Sequence, residues 1–300
     1  MLATLAGVDG AIVIDKPSDW TSHDVVNKIR RFAATRRVGH LGTLDPSATG
    51  VLPLVINRAT RLAQFYTHAD KTYEGVIHFG YATDSYDAEG APVGEVRDVA
   101  VTAAELEPIF DRFRGRFAQM PPAVSAKKIG GRKAYEMARK NQPVELKAVD
   151  IEVFELTLLA IDGCEARVRV HCSSGTYLRS IAHDAGQALG CGAHLRALRR
   201  TQAGDFKIAD AHTLEELGKL AAEGRFEEAM IPAAKLLPQF PSECVDLLTA
   251  GQIRNGRTFR VSPFHIDPDA RYVKALNSEG ELIAIGEARL PHVYHPMLVL

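Results

Sequence analysis

Residues 39–54 read GHLGTLDPSATGVLPL, and the rest of the chain is arranged around them. Three glycines, two prolines and small hydroxyl residues surround one carboxylate, Asp45. Pro46 disfavours α geometry in the residue before it, so Asp45 is expected in an extended or turn conformation. Gly42 and Gly50 give the backbone freedom on either side to approach a ligand. The apolar run Val51 to Ile56 then reads as a buried element that anchors the loop. A carboxylate held on such a loop is a candidate acid, base or nucleophile. Asp-Pro beside glycine is also ordinary turn chemistry, and the local residues leave both readings open.

The remainder of the chain sets the context. Three hundred residues suffice for one large domain and a small one. Four cysteines (Cys164, Cys172, Cys191, Cys244) form no CxxC pair, so no disulfide framework is expected. No long apolar run or charged-then-apolar leader is seen, and a cytoplasmic protein with no membrane association is expected. The net charge of −1 conceals segregation. Residues 112–147 hold ten Lys and Arg against two Glu, and residues 210–246 hold three basic against eight acidic residues. A basic segment of that kind is an electrostatic footprint for a polyanion.

Taken in order, residues 11–15 read as a strand. Thr21-Ser22 caps a helix through VVNKIRRFA, with Asp24 in its first turn. Residues 58–66 read as a helix and 71–80 as a strand with Tyr73, Gly75, Ile77 and Phe79 on one face. Thr102 and Glu105 form a capping-box pattern. Two alternating strands span 148–172 and meet at Asp162-Gly163, a hairpin signal. Ser173 to Gly175 forms a turn, and a helix carrying Arg179 begins near Tyr177. Another helix reads LEELGKLAA. Two further strands flank Asn277 to Gly280. Cys191 and His194 are too few to argue for a metal, and no GxxxxGK[ST] pattern surrounds Lys128.

The blocks DKPSDWTS, GHLGTLDPSATGVLPL, ATDSYDAEG and CSSGTYLRSIAHDAGQALGCGAHLRALRRTQAG recur in the order found in the TruB family of tRNA pseudouridine-55 synthases. The resemblance covers nearly the whole chain. Asp19 departs from the family pattern, which has glycine there, and this is expected to alter the turn rather than the chemistry. The resemblance implies an α+β pseudouridine synthase fold: a mixed, mainly antiparallel sheet with flanking helices, a basic thumb-like insertion at 112–147, and a small PUA-like C-terminal β domain. It implies a catalytic domain over 1–240 and the C-terminal domain over 241–300.

The same resemblance assigns roles. Asp45 is the catalytic carboxylate, Arg179 its partner, and Tyr73 the residue that stacks on the flipped base. Tyr177 and Leu198 hold the substrate, His40 fills the space the base leaves, and Asp87 and Lys16 support the site. Lys127, Lys128, Arg132, Lys133 and Arg139 are available for RNA phosphates. No cofactor or metal is implied; the expected partner is the T arm of tRNA, and a monomer is expected. The competing function is a non-catalytic tRNA-binding or tRNA-folding protein using the same surface. An intact Asp45, Tyr73 and Arg179 favour the enzyme, because a pure binder has no need of an Asp-Arg pair.

Overall fold

The computed structural model describes residues 8–122, 128–129, 132–133 and 147–300. Lys127 and Arg139 lie outside the described residues. Of the remaining phosphate candidates, the backbone segment Lys128–Ile129 pairs antiparallel with Arg132–Lys133.

The main sheet is built from β1 (Gly10–Lys16), β2 (Thr49–Ile56), β3 (Lys71–Phe79), β4 (Gly115–Gln119), β5 (Val149–Asp162), β6 (Glu165–Cys172), β7 (Ala193–Ala203) and β8 (Ile231–Pro232). Their order is β8-β1-β2-β7-β3-β6-β5-β4, with Val38–His40 added on β2 and Phe206–Lys207 on β7. Every pairing is antiparallel except β2 with β7, which run parallel through Arg199↔Thr49 and Arg200↔Gly50. The loop expected to carry the chemistry therefore enters the sheet beside β7. Arg199 fixes that end further, with a two-pronged ion pair to Asp15 on β1 (2.7 and 3.0 Å).

Strands β1 and β2 are buried along almost their whole length. Alternate residues face opposite sides of a sheet, and both sides are covered. Ile12, Ile14, Leu52 and Leu54 enter one core with helices α1 (Ser22–Phe32), α2 (Ala103–Asp111), α3 (Leu178–Leu189) and α4 (Leu214–Ala222). Ala11, Val13, Val51 and Val55 enter a second core. The helix starts follow the sequence signals. Thr21 with Asp24, Thr102 with Glu105, and Thr213 with Glu216 each form a capping box. Residues 57–66 also coil, but as a 3₁₀ helix.

The C-terminal part is a five-stranded sheet of β9 (Ser242–Cys244), β10 (Phe259–Arg260), β11 (Tyr272–Leu276), β12 (Leu282–Leu290) and β13 (Val293–Val299). Its order is β9-β11-β12-β13-β10. The turn expected at Asn277 to Gly280 joins β11 to β12. Helix α5 (Leu247–Arg254) adds an element the sequence reading did not contain. The second core of the main sheet is closed by Leu282, Ile285, Leu298 and Leu300 from this part. Among the described residues no helix is long and apolar enough to cross a membrane.

Candidate active site

The loop between Val38–His40 and β2 is held from three directions, mostly through its backbone. Ser22 clamps Leu44, its hydroxyl donating to the Leu44 carbonyl (3.1 Å) and accepting from the Leu44 N–H (2.9 Å). Lys16 is fully buried and donates to the carbonyls of Pro17, Trp20 and Pro46 at 2.9, 2.7 and 2.9 Å. The Asp19 N–H also donates to the Pro46 carbonyl (3.0 Å). From β7, Arg200 is 1 % exposed and donates to the carbonyls of Val51 (2.7 Å), Thr43 (3.3 Å) and Gly42 (3.0 Å). Gly50 must be glycine here: its φ is 98°, and an added Cβ would lie 2.2 Å from the Arg200 carbonyl oxygen.

Held this way, Asp45 turns its carboxylate to Arg179. The turn itself is real, since the Ala48 N–H donates to the Asp45 carbonyl (3.1 Å). The side chain does something else: Arg179 Nη2 lies 3.0 Å from Asp45 Oδ2. Asp45 keeps 39 % of its side chain exposed, whereas Arg179 keeps 7 %. Arg179 sits in the first turn of α3, and its Nη1 donates to Asp87 Oδ2 (3.1 Å) and to the Ser85 carbonyl (3.2 Å). The guanidinium thus bridges two carboxylates. A bridged, nearly buried arginine has little freedom to leave the exposed one. Asp84 makes no such link; its carboxylate accepts from the Ala91 N–H (3.0 Å) and closes a turn.

Beside this pair lies a cavity of about 440 Å³, within the range of ligand clefts. Gly42 to Asp45 form one wall, and Ser174 to Arg179 another. Tyr73, Leu198 and Arg200 also line it, with Thr67, His68 and Lys71. Of the sequence-derived candidates, Asp45, Tyr73, Tyr177, Arg179 and Leu198 are therefore brought together around one space. Asp87 and Lys16 stand behind it, touching Arg179 and the Asp45 loop. His40 is exposed and is not among the residues lining the cavity; its Nδ1 accepts from the Gly42 N–H at 3.4 Å.

Tyr73 is 9 % exposed and belongs to the main core as well as to the cavity. Burial raises its hydroxyl pKa, and the charge of Arg200 partly opposes the shift. Burial also pushes the Lys16 ammonium down to about 8, with Asp19 and Asp45 opposing. Cys191 and His194 do not converge on a shared ligand. The thiol donates to the Gly192 carbonyl and the imidazole contacts the Tyr81 carbonyl. Among the described residues no group of three or more His, Cys, Asp or Glu is arranged to hold a metal.

Two residues of the site escape the sequence reading. Arg200 becomes legible only once β7 is known to be a strand, where it lies two residues from Leu198 and so shares its face. Gln119 does not. Its amide pairs with the Tyr177 backbone in both directions (3.0 and 2.8 Å) across 58 residues of sequence.

A mixed, mainly antiparallel sheet with flanking helices of this order is the fold of a pseudouridine synthase. Solved structures share the fold: an H/ACA RNP bound to a substrate RNA containing 2′-deoxyuridine aligns with a TM-score of 0.71 at 25 % identity, over 97 % of this chain and 84 % of that one. A Cbf5-Nop10-Gar1 complex aligns with a TM-score of 0.68 at 28 % identity, over 94 % and 79 %. The chain belongs to the TruB family. Residues 30–178 match the model of the TruB family pseudouridylate synthase N-terminal domain, and residues 179–238 that of the tRNA pseudouridylate synthase B C-terminal domain. The division falls at Arg179, so the Asp45–Arg179 ion pair joins the two matched regions. A tRNA pseudouridine synthase B of Solibacter usitatus (strain Ellin6076) is 61 % identical over 98 % of this chain and all of its own length. One from Mycobacteroides abscessus is 40 % identical over 90 % and 93 %.

Proposed function

We propose that this chain isomerises the T-loop uridine at position 55 of tRNA to pseudouridine, with Asp45 as the reacting carboxylate. Family membership and full-length relatives carry tRNA pseudouridylation to it, rather than tRNA binding without turnover. The observation that carries the assignment of Asp45 is its 3.0 Å ion pair with a buried arginine at the wall of the cavity.

The reaction breaks the bond from ribose C1′ to uracil N1, turns the base, and joins C1′ to C5; the C5 proton is lost and N1 gains one. The base must leave its stack first, at a cost of a few kcal/mol, and stacking on Tyr73 offsets about 1–3 kcal/mol of it. Leu198 and Tyr177 bound the space around the ring. Asp45 acts at the sugar, either by attack on carbon or by removing a ribose proton. Arg179 aims it, Asp87 aims Arg179, and Lys16 fixes the residue after it. His40 enters the gap in the RNA loop from outside the cavity, and the basic residues of 112–147, including Lys127, Lys128, Arg132, Lys133 and Arg139, meet phosphates. The catalytic domain is residues 1–240 and the PUA-like domain 241–300, in a monomeric cytoplasmic enzyme.

Incubation with unmodified tRNA, followed by mapping of pseudouridine at each position, tests the reading. One new pseudouridine at position 55 is expected. Asp45→Asn keeps the shape and removes the charge, so it should form none while retaining the fold and near-normal tRNA affinity. Turnover by a folded Asp45→Asn variant would remove Asp45 from the chemistry.

A further inference from the structure

Lys71 opens β3, is 9 % exposed, and still lines the cavity. Its ammonium donates to the Ala69 carbonyl, which uses one of its three N–H donors. It makes no ion pair among the described residues; the adjacent acid, Asp70, is exposed and lies 3.7 Å from His171. The charge that acts on it most strongly is another cation, Arg200, ahead of Asp70. Lys71 Cε and Arg200 Nη1 each stand 3.7 Å from the point that a side chain on Gly42 would occupy. Arg200 in turn is bonded to carbonyls, while Arg179 is the cation that Asp45 and Asp87 neutralise. Two cations flanking one glycine with no carboxylate between them is a costly arrangement in a partly dehydrated site. Burial and the charge of Arg200 lower the Lys71 pKa, with Cys172 and Asp70 only partly opposing, a cost that an arriving anion would relieve.

We propose that Lys71 binds a backbone phosphodiester of the RNA substrate beside the target uridine, its remaining N–H groups donating to a non-bridging oxygen. This rests on the RNA-modifying reading above. Lys71 lies two residues from Tyr73 on the same face of β3, a step of roughly 6–7 Å along the strand. A base resting on Tyr73 therefore leaves about the width of one ribose before Lys71. Thr67 and His68 line the same cavity and are exposed, and they add donors at that end.

The test uses a hairpin RNA carrying the target uridine, with a neutral methylphosphonate replacing the linkage on its 5′ or its 3′ side. In the wild type, one of these replacements should lower kcat/KM about tenfold, chiefly through KM, as expected for loss of a charged hydrogen bond. Lys71→Met should show that loss with the all-phosphate hairpin and no further loss with the sensitive methylphosphonate. Lys71→Arg should recover most of the wild-type KM and its sensitivity. Equal sensitivity of wild type and Lys71→Met would overturn the proposal. So would a wild type indifferent to both replacements, a result that decides the matter even if Lys71→Met does not fold. Read as Kd, the same comparison stands if the wild type forms no pseudouridine, an outcome that would sink the functional reading alone.

Discussion

Lys16 illustrates how a single buried charge ties stability to pH. Burial favours the neutral amine, so the group titrates at about 8 in the folded chain, against 10.5 for an ordinary lysine. Between those values the unfolded chain holds more protons, so raising the pH through that window stabilises the fold. The penalty is fully present below about pH 8 and is relieved as the pH climbs. Its size is on the order of 3 kcal/mol. Lys16→Met should be less stable near neutrality, because three carbonyls lose a donor, and should lack that part of the alkaline gain. Urea unfolding of both proteins from neutrality to about pH 10 checks this; parallel curves would show that Lys16 is not the group responsible. Tyr73 makes a different demand, since its ring is both core and cavity wall. Tyr73→Phe keeps the ring and should bind tRNA almost normally. Tyr73→Leu should lose about 1–3 kcal/mol of support for the flipped base. That loss should shrink for an RNA whose uridine is already unstacked. Turnover of both substrates, measured beside melting temperature, distinguishes this from a packing defect, which would affect the two substrates alike.

At the scale of elements, the turn after β1 departs from the family pattern in a way the backbone explains. Asp19 has a φ of 64°, in the left-handed region that glycine occupies without strain. The Asp19 N–H donates to the Pro46 carbonyl. Aspartate tolerates this geometry better than most residues but at some cost. Asp19→Gly should therefore stabilise the fold by up to about 1 kcal/mol, less the entropy that glycine adds to the unfolded chain. A fall in melting temperature would mean that the Asp19 charge near Lys16 outweighs the backbone term. Elements with local signals were legible: the capping boxes, the alternation of β3, the Asp162-Gly163 turn, and the glycine- and proline-rich loop around Asp45. Strand β7 was not, because AHLRALRRTQA keeps apolar alternation only from Ala193 to Ala197 and its pairing with β2 and β3 joins residues over 100 positions apart. Helix α5 escaped for a similar reason, since Leu247 and Leu248 are 85 % and 74 % exposed and show no buried stripe. The site was legible where its residues fall within the blocks that resemble the family, as Asp45, Tyr177, Arg179 and Leu198 do. Arg200 clamps that loop through backbone carbonyls, which no side-chain motif records.

For the whole molecule, the chain passes from one sheet to the other near residue 240. The C-terminal sheet keeps a core of its own around Val273, Ile283 and Tyr294, but its other face shares a core with the main sheet. The rear of β1 and β2 is covered by Leu282, Ile285, Leu298 and Leu300 from the C-terminal sheet, together with Tyr66 and Leu62. Lys274 on β11 crosses the boundary too, donating to the carbonyls of Ala234 (2.9 Å) and Leu236 (3.1 Å). Burying one large aliphatic side chain is worth about 1.5–3 kcal/mol, so several acting together approach the net stability of a typical domain. Leu298 is 3 % exposed and distant in sequence from every residue of the cavity. Leu298→Ala should destabilise the protein by about 2–5 kcal/mol. Because the core is shared, the loss should belong to the catalytic sheet as much as to the C-terminal one. Calorimetry should show a single transition moving to lower temperature, with pseudouridine formation unchanged well below it. Two transitions, with only one displaced by the substitution, would show that the C-terminal sheet folds independently and that the shared core contributes little to the catalytic part.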